Sequence, residues 1–208
     1  MKQHEKKQYD IRNAAAFKKT TEQWGGLSNM AGGFPVVVNC VAIKSVEALY
    51  QACRFPHLPD VQEKILTQGS PMTAKMVGKP FREHSRDDWL AVRILVMKWC
   101  LRVKLAQNWD EFSSLLLSTQ DMQIVEISNK DDFWGAKPVE QNLYVGVNAL
   151  GRLLMELREQ VIHNKKERFM VVPPLNIPQF KLYNQDILPV NKSDSRILAT
   201  PQINMFDV

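Results

Sequence analysis

The sequence predicts an α+β fold, mainly helical, built as a single domain with a small β component and a Pro-rich C-terminal extension. Its 208 residues fill one domain of the usual ~100–200 residues. A hydrophobic content of 45% and a charged content of 24% match globular proteins and exclude a disordered chain, a collagen-like repeat or a disulfide-dense miniprotein. Apolar residues recur three and four positions apart through the middle of the chain, whereas short β-branched runs are few.

Each element follows from local signals. Residues 1–14 are polar and read as a loose arm. From Phe17 to Ile43 the chain reads as turns and short strands broken by Gly25-Gly26, Gly32-Gly33 and Pro35. Val36-Val37-Val38 with Val41 and Ile43 is the strongest strand signal. Ser45 caps a helix through Cys53 that must stop before Pro56. Ser70-Pro71 repeats the start signal, with proline at the first helical position, and predicts a short helix over Met72–Val77. Asp87 or Asp88 opens the longest helix, whose apolar side carries Trp89, Val92, Val96, Trp99 and Val103. Asn108 followed by Glu111 resembles a capping box for a helix through Leu116. Ile124-Val125 with Ile127 reads as a strand, and residues 131–135 as a loop. The last strong helix runs from about Gly146 to Val161, with Gly151 beside its apolar face for close packing and its open N-terminus free to take an anion. Residues 164–208 hold five of the eleven prolines, so they form an extension that lies across the domain in extended pieces or docks a partner. The domain proper is expected over residues 15–163.

Charge and cysteine content bound the setting. No apolar run approaches the ~18–20 residues of a membrane helix, and residues 1–10 lack the apolar core of a signal peptide, so the chain is expected in the cytoplasm. Cys40, Cys53 and Cys100 have no C-x-x-C spacing, and reduced thiols are expected rather than disulfides or a zinc site. The formal charge of +5 is concentrated: Met72 to Lys104 carries eight basic residues against three acidic ones. Such a stretch suits a polyanion or a pyrophosphate, and equally a solvated face.

Phosphate-loop, dinucleotide, metalloprotease and nucleophile-elbow motifs are absent. What remains is a set of polar and aromatic residues where a core would not place them. Ser28 and Asn29 follow a Gly-Gly turn. Glu47 sits in the first turn of its helix, where the dipole should lower its pKa; a helix-stabilising acid would sit there too. Asp131 and Asp132 precede Phe133-Trp134-Gly135, a loop able to stack a base or sugar or to plug the core. Lys75 lies near a helix start, where the dipole and partial burial would make a nucleophilic amine. Arg86 stands beside Trp89.

In order, these pieces resemble the NADAR family of YbiA-like proteins. The matching blocks are Gly26-Leu27-Ser28-Asn29-Met30, Ser45 to Ala52 with Arg54-Phe55, Ser70 to Lys75, Arg86-Asp87-Asp88-Trp89, Lys104 to Asn108, Ile124-Val125-Glu126, Asp131 to Gly135, and Gly146 to Met155. The resemblance spans about Phe17 to Val161. It implies hydrolysis of an N-glycosidic bond between ribose C1 and an amine. Gly25 to Met30, Arg54 to His57 and Trp99 to Lys104 are similar to the branch that removes ADP-ribose from guanine in DNA as antitoxin to a DNA ADP-ribosyltransferase. Implied partners are therefore ADP-ribosylated DNA, ADP-ribose and such a toxin, with no metal or organic cofactor and no membrane. A metabolic N-glycosidase acting on phosphorylated ribosylamines of riboflavin biosynthesis is the alternative, and a binding module without turnover is a third.

Carried over by position, the resemblance makes Glu47 and Asp131 catalytic carboxylates, Glu47 to stabilise the cation at C1 and Asp131 to protonate the leaving nitrogen or activate water, with Asp132 as a rival to Asp131. Lys75 is a candidate for a Schiff base. Ser28, Asn29, Arg86, Trp89, Trp134, Gly135 and Asn148 are implied to hold the substrate.

Overall fold

A computed structural model describes residues 5–199 of the protein, with side chains through 195. Residues 1–4 and 200–208, Pro201 among them, lie outside the described residues. In chain order the strands and helices are β1 (Lys7–Asp10), β2 (Ala14–Phe17), β3 (Val36–Val38), β4 (Val41–Ile43), α1 (Val46–Ala52), α2 (Pro59–Leu66), α3 (Pro71–Gly78), α4 (Trp89–Gln107), α5 (Trp109–Ser118), β5 (Gln123–Glu126), β6 (Lys137–Glu140), β7 (Leu143–Gly146) and α6 (Ala149–His163). Four two-residue strands follow: β8 (Val171–Val172), β9 (Lys181–Leu182), β10 (Gln185–Asp186) and β11 (Val190–Asn191). The architecture is α+β, as the sequence predicts.

Helix α4 is the axis of the molecule, and α1, α5, α6 and β8 pack against it. Its expected face, Trp89, Val92, Val96, Trp99 and Val103, is buried throughout. The sheets are small and peripheral. β1, β7 and β6 form an antiparallel sheet, β2 runs parallel to β5, and β3 and β4 make a hairpin. The parallel pair rests on α6, where Gly151 has the role its position suggests: a Cβ there would drive into the Ile124 carbonyl.

Two starts behave as expected, with the Ser45 hydroxyl accepting from the Ala48 N–H at 3.2 Å and the Ser70 hydroxyl capping α3. Two others do not. Asp88 occupies the N-cap of α4 yet gives its carboxylate to Arg86. Asn108 makes no cap for α5 and instead donates to the Pro35 and Lys104 carbonyls at 3.0 and 3.2 Å. Nor is the start of α6 an anion site. The N–H groups of Val147, Asn148, Ala149 and Leu150 are taken by the carbonyls of Asp132, Gly135, Phe133 and Trp134.

The segment expected as a loose N-terminal arm is ordered from Lys7 onward, because β1 pairs with β7 and buries Tyr9 against Val125 and Ala136. The C-terminal segment lies across the domain in short extended pieces. Phe169, Val172, Phe180, Leu182, Ile187 and Val190 join the main core, and the Trp99 indole N–H donates to the Pro173 carbonyl at 3.0 Å. Among the described residues no helix is long and apolar enough to cross a membrane.

Candidate active site

One cavity of about 330 Å³ gathers most of the predicted residues. It opens between α1, α3, the first turns of α4, the end of β5 and the 131–135 loop. Glu47 enters from α1, fixed at its backbone N–H by the Asn29 carbonyl at 3.2 Å and at Oε1 by the Gln51 amide at 2.8 Å. Burial pushes the Glu47 carboxyl above the usual carboxylate range, opposed by the charges of Lys75 and Arg82 and by the Gln51 bond. The shift is opposite to the lowering expected from the helix dipole. Loss of hydration outweighs one short helix's terminal field.

Lys75 faces the same cavity and its charge acts on Glu47. It stands in the last turn of α3, however, so the positive dipole end invoked from the sequence is not what conditions it. Asp131 lines the cavity, and its Oδ1 accepts from the Phe133 and Trp134 N–H groups, both at 2.9 Å. Asp132 does not reach it; Lys6 at 2.9 Å and Lys137 at 3.6 Å hold it outside. Trp89 and Trp134 form an aromatic wall joined by Tyr50, with centroids 5.1 and 5.6 Å from the Tyr50 ring. Asn29 is buried in the lining, and its Oδ1 has no hydrogen-bond partner among the described residues.

Four residues expected to hold substrate do something else. Ser28 is buried beneath its turn and accepts from the Met30 N–H at 3.1 Å. Arg86 lies outside the cavity and is fastened to Asp88 and to the Pro178 carbonyl at 2.6 Å. Gly135 is small because its absent Cβ would sit 2.5 Å from the Glu126 carbonyl oxygen. Asn148, fully buried at φ 50°, bridges β5, accepting from the Glu126 N–H at 3.1 Å and donating to the Ile124 carbonyl at 2.8 Å.

Sequence reasoning missed Glu126, Tyr50, Gln51, Arg54, Arg82 and Arg93, all of which line the cavity. Spacing held one clue, since Arg93 lies four residues after Trp89 and so shares its helix face. Arg54 stacks over Trp89 at 5.3 Å, and Arg93 over Phe133 at 3.6 Å. Arg54, Arg82 and Arg93 are near enough that the charges of the other two add to burial in lowering the Arg54 pKa.

Residues 16–162 match the NADAR domain. The chain belongs to the NADAR family. N-glycosidase YbiA of Escherichia coli is 34% identical to this NADAR protein over 149 residues, covering 72% of this chain and 89% of that one. A riboflavin biosynthesis protein of Vibrio vulnificus is 31% identical over 179 residues, 83% of this chain but 44% of its own length. The chloroplastic riboflavin biosynthesis protein PYRR of Zea mays is 31% identical over 166 residues, 25% of its length. The solution structure of Escherichia coli YbiA superposes with a TM-score of 0.62 at 32% identity, covering 74% of this chain and 86% of that one. These relatives support an N-glycosidase function for the NADAR protein described here.

Proposed function

We propose that this protein is an N-glycosidase that hydrolyses the bond between ribose C1 and a base nitrogen, that its substrate is guanine ADP-ribosylated in DNA, and that it serves as antitoxin to the transferase that makes this mark. The supporting observation is the charge arrangement of one cavity. Carboxylates of Glu47, Glu126 and Asp131 share it with Arg54, Lys75, Arg82 and Arg93, and none of these four cations forms an ion pair among the described residues.

Cleaving an N-riboside puts positive charge on C1 and the ring oxygen, which a fixed carboxylate stabilises. Glu47, gripped at its backbone and by Gln51, takes that role. The guanidinium groups meet the phosphates of ADP-ribose in charge-assisted bonds, and the Trp89–Tyr50–Trp134 wall offers a stacking surface for the base. A ring-opened ribosylamine is also an imine at C1, and Lys75 can add to it, expel the amine and leave a Schiff base for water to hydrolyse. Borohydride trapping separates the routes: a covalent adduct at Lys75 supports the second, and its absence with full activity in Lys75→Ala removes it.

The volume of the cavity favours a second reading. About 330 Å³ accommodates a ribose with one phosphate and a small amine, and two relatives carry riboflavin biosynthesis in their names; a phosphorylated ribosylamine is the alternative substrate. The test is intact mass of an oligonucleotide bearing ADP-ribosylguanine, incubated with native protein and with Glu47→Gln. Loss of the ADP-ribose mass with native protein alone is expected. A surviving modification, with turnover of phosphoribosylamines, transfers the assignment to the second reading. Tight binding of the oligonucleotide with no turnover of either substrate would make the protein a binding module.

A further inference from the structure

Three carboxylates face the cavity, and they are not equivalent. Glu47 Oε1 is engaged by the Gln51 amide, and Asp131 Oδ1 by two backbone N–H groups. The side chain of Glu126 has neither hydrogen bond nor ion pair among the described residues, and it lines the cavity. Its backbone, by contrast, is clamped. The N–H goes to Asn148 Oδ1 at 3.1 Å, the carbonyl takes the Ala136 N–H at 2.8 Å, and the next residue's N–H binds the Phe17 carbonyl at 2.8 Å. Gly135 leaves no Cβ to push that carbonyl aside. Gly135, Asn148 and Gly151, taken from two separate sequence blocks, thus converge on one strand end and hold its carboxyl out to the ligand.

We infer that Glu126 is the catalytic proton donor to the leaving nitrogen. The inference rests on the N-glycosidase reading and gives that reaction its acid. The C1–N bond breaks with its electron pair moving to nitrogen, which takes the Glu126 proton. Water adds to C1 and releases a proton to Glu47, so a neutral amine and a C1 hydroxyl leave. The two carboxyls still hold the one proton they began with, and its transfer back to Glu126 resets the site. Burial, with the charges of Glu47 and Asp131, pushes the Glu126 carboxyl up to about 7, against the pull of Lys75. It therefore keeps its proton into the neutral range, where an ordinary carboxylic acid has lost it.

The experiment compares native protein, Glu126→Gln and Glu126→Asp on the ADP-ribosylguanine oligonucleotide and on a phosphoribosylamine, using whichever turns over. Native kcat/KM is expected to fall as pH rises through about 7. Glu126→Gln is expected to lose roughly 100-fold or more in kcat with little change in KM, and to lose that basic limb. Glu126→Asp keeps a limb at reduced kcat, a readout that a purely structural carboxylate would not give and one that stands in if Glu126→Gln fails to fold. Glu126→Gln at more than a third of native kcat, or with the basic limb intact, overturns the assignment alone. A native protein inactive on both substrates overturns the N-glycosidase reading and the assignment with it.

Discussion

Raising the pH from 7 to 9 should make this protein more stable, and Lys104 is the reason. Its side chain is completely buried. The ammonium donates to the Gly26 and Ser28 carbonyls at 2.7 and 3.0 Å and lies 4.3 Å from the ring centres of Phe34 and Phe112. Burial nonetheless brings its pKa from 10.5 down to about 7. Between those values the unfolded chain binds the proton and the folded chain does not, so stability rises with pH across the interval. At 1.36 kcal/mol for each pH unit, keeping the cation inside costs about 5 kcal/mol below pH 7, and about 2 kcal/mol of this is recovered by pH 9. Above about 9 the rise stalls, because burial holds the Cys100 thiol protonated while the unfolded thiol ionises, and this opposite slope offsets that of Lys104. Below 7 the slope has the opposite sign, since the Glu126 carboxyl titrates higher folded than unfolded and stability falls as pH rises from about 4.5 toward 7. A stability minimum near neutral pH follows. Urea unfolding at pH 7, 8 and 9 should show the midpoint rising by about 1 M, for a slope of about 2 kcal/mol per molar, and Lys104→Met should flatten the rise. Equal or falling midpoints in the native protein over this range refute the reasoning.

Gly151→Ala should cost about 3 kcal/mol, because its Cβ would meet the Ile124 carbonyl and stand 2.5 Å from Asn148 Nδ2; melting within 2 °C of native contradicts the packing described. Arg82 is exposed and its guanidinium has no protein partner among the described residues, so Arg82→Ala should raise KM about 10-fold for a phosphate-bearing substrate and leave kcat within about twofold. An unchanged KM in steady-state assays removes Arg82 from the phosphate site. Arg86→Ala should do the reverse, lowering thermal stability by about 1–3 kcal/mol as Asp88 and the Pro178 carbonyl lose their donor, with KM unaltered.

What the sequence made legible follows from where each signal acts. Ser45 and Ser70 announce α1 and α3 because a cap is a local event between residues three apart. Helix α2 escaped because it begins at Pro59 after Leu58, which has no capping side chain. The β6–β7 hairpin escaped because Lys137–Glu140 is mostly exposed and has no buried face to create an alternation. Glu47, Lys75, Asp131 and the two tryptophans, singled out through their motifs, line one cavity. Arg86 was misplaced because its neighbour Trp89 was taken as a guide, although the two side chains leave the α4 start in different directions, one to the cavity and one to Pro178. Glu126 was passed over because a carboxylate ending a strand ordinarily faces water. Only the tertiary fold, which sets α1 and the 131–135 loop beside it, takes away part of that water.

The C-terminal segment has a temporal consequence. Phe169, Val172, Phe180, Leu182, Ile187 and Val190 enter a core whose other buried members all precede them, and Pro178 supplies the carbonyl that steadies Arg86 at the threshold of α4. During synthesis at roughly 5–20 residues per second, α4 is made long before these side chains leave the ribosome. Its apolar flank must wait uncovered for several seconds, so chaperone contact and early aggregation should fall on α4, and a stop codon placed just after α6 should yield a chain that is degraded rather than a smaller enzyme.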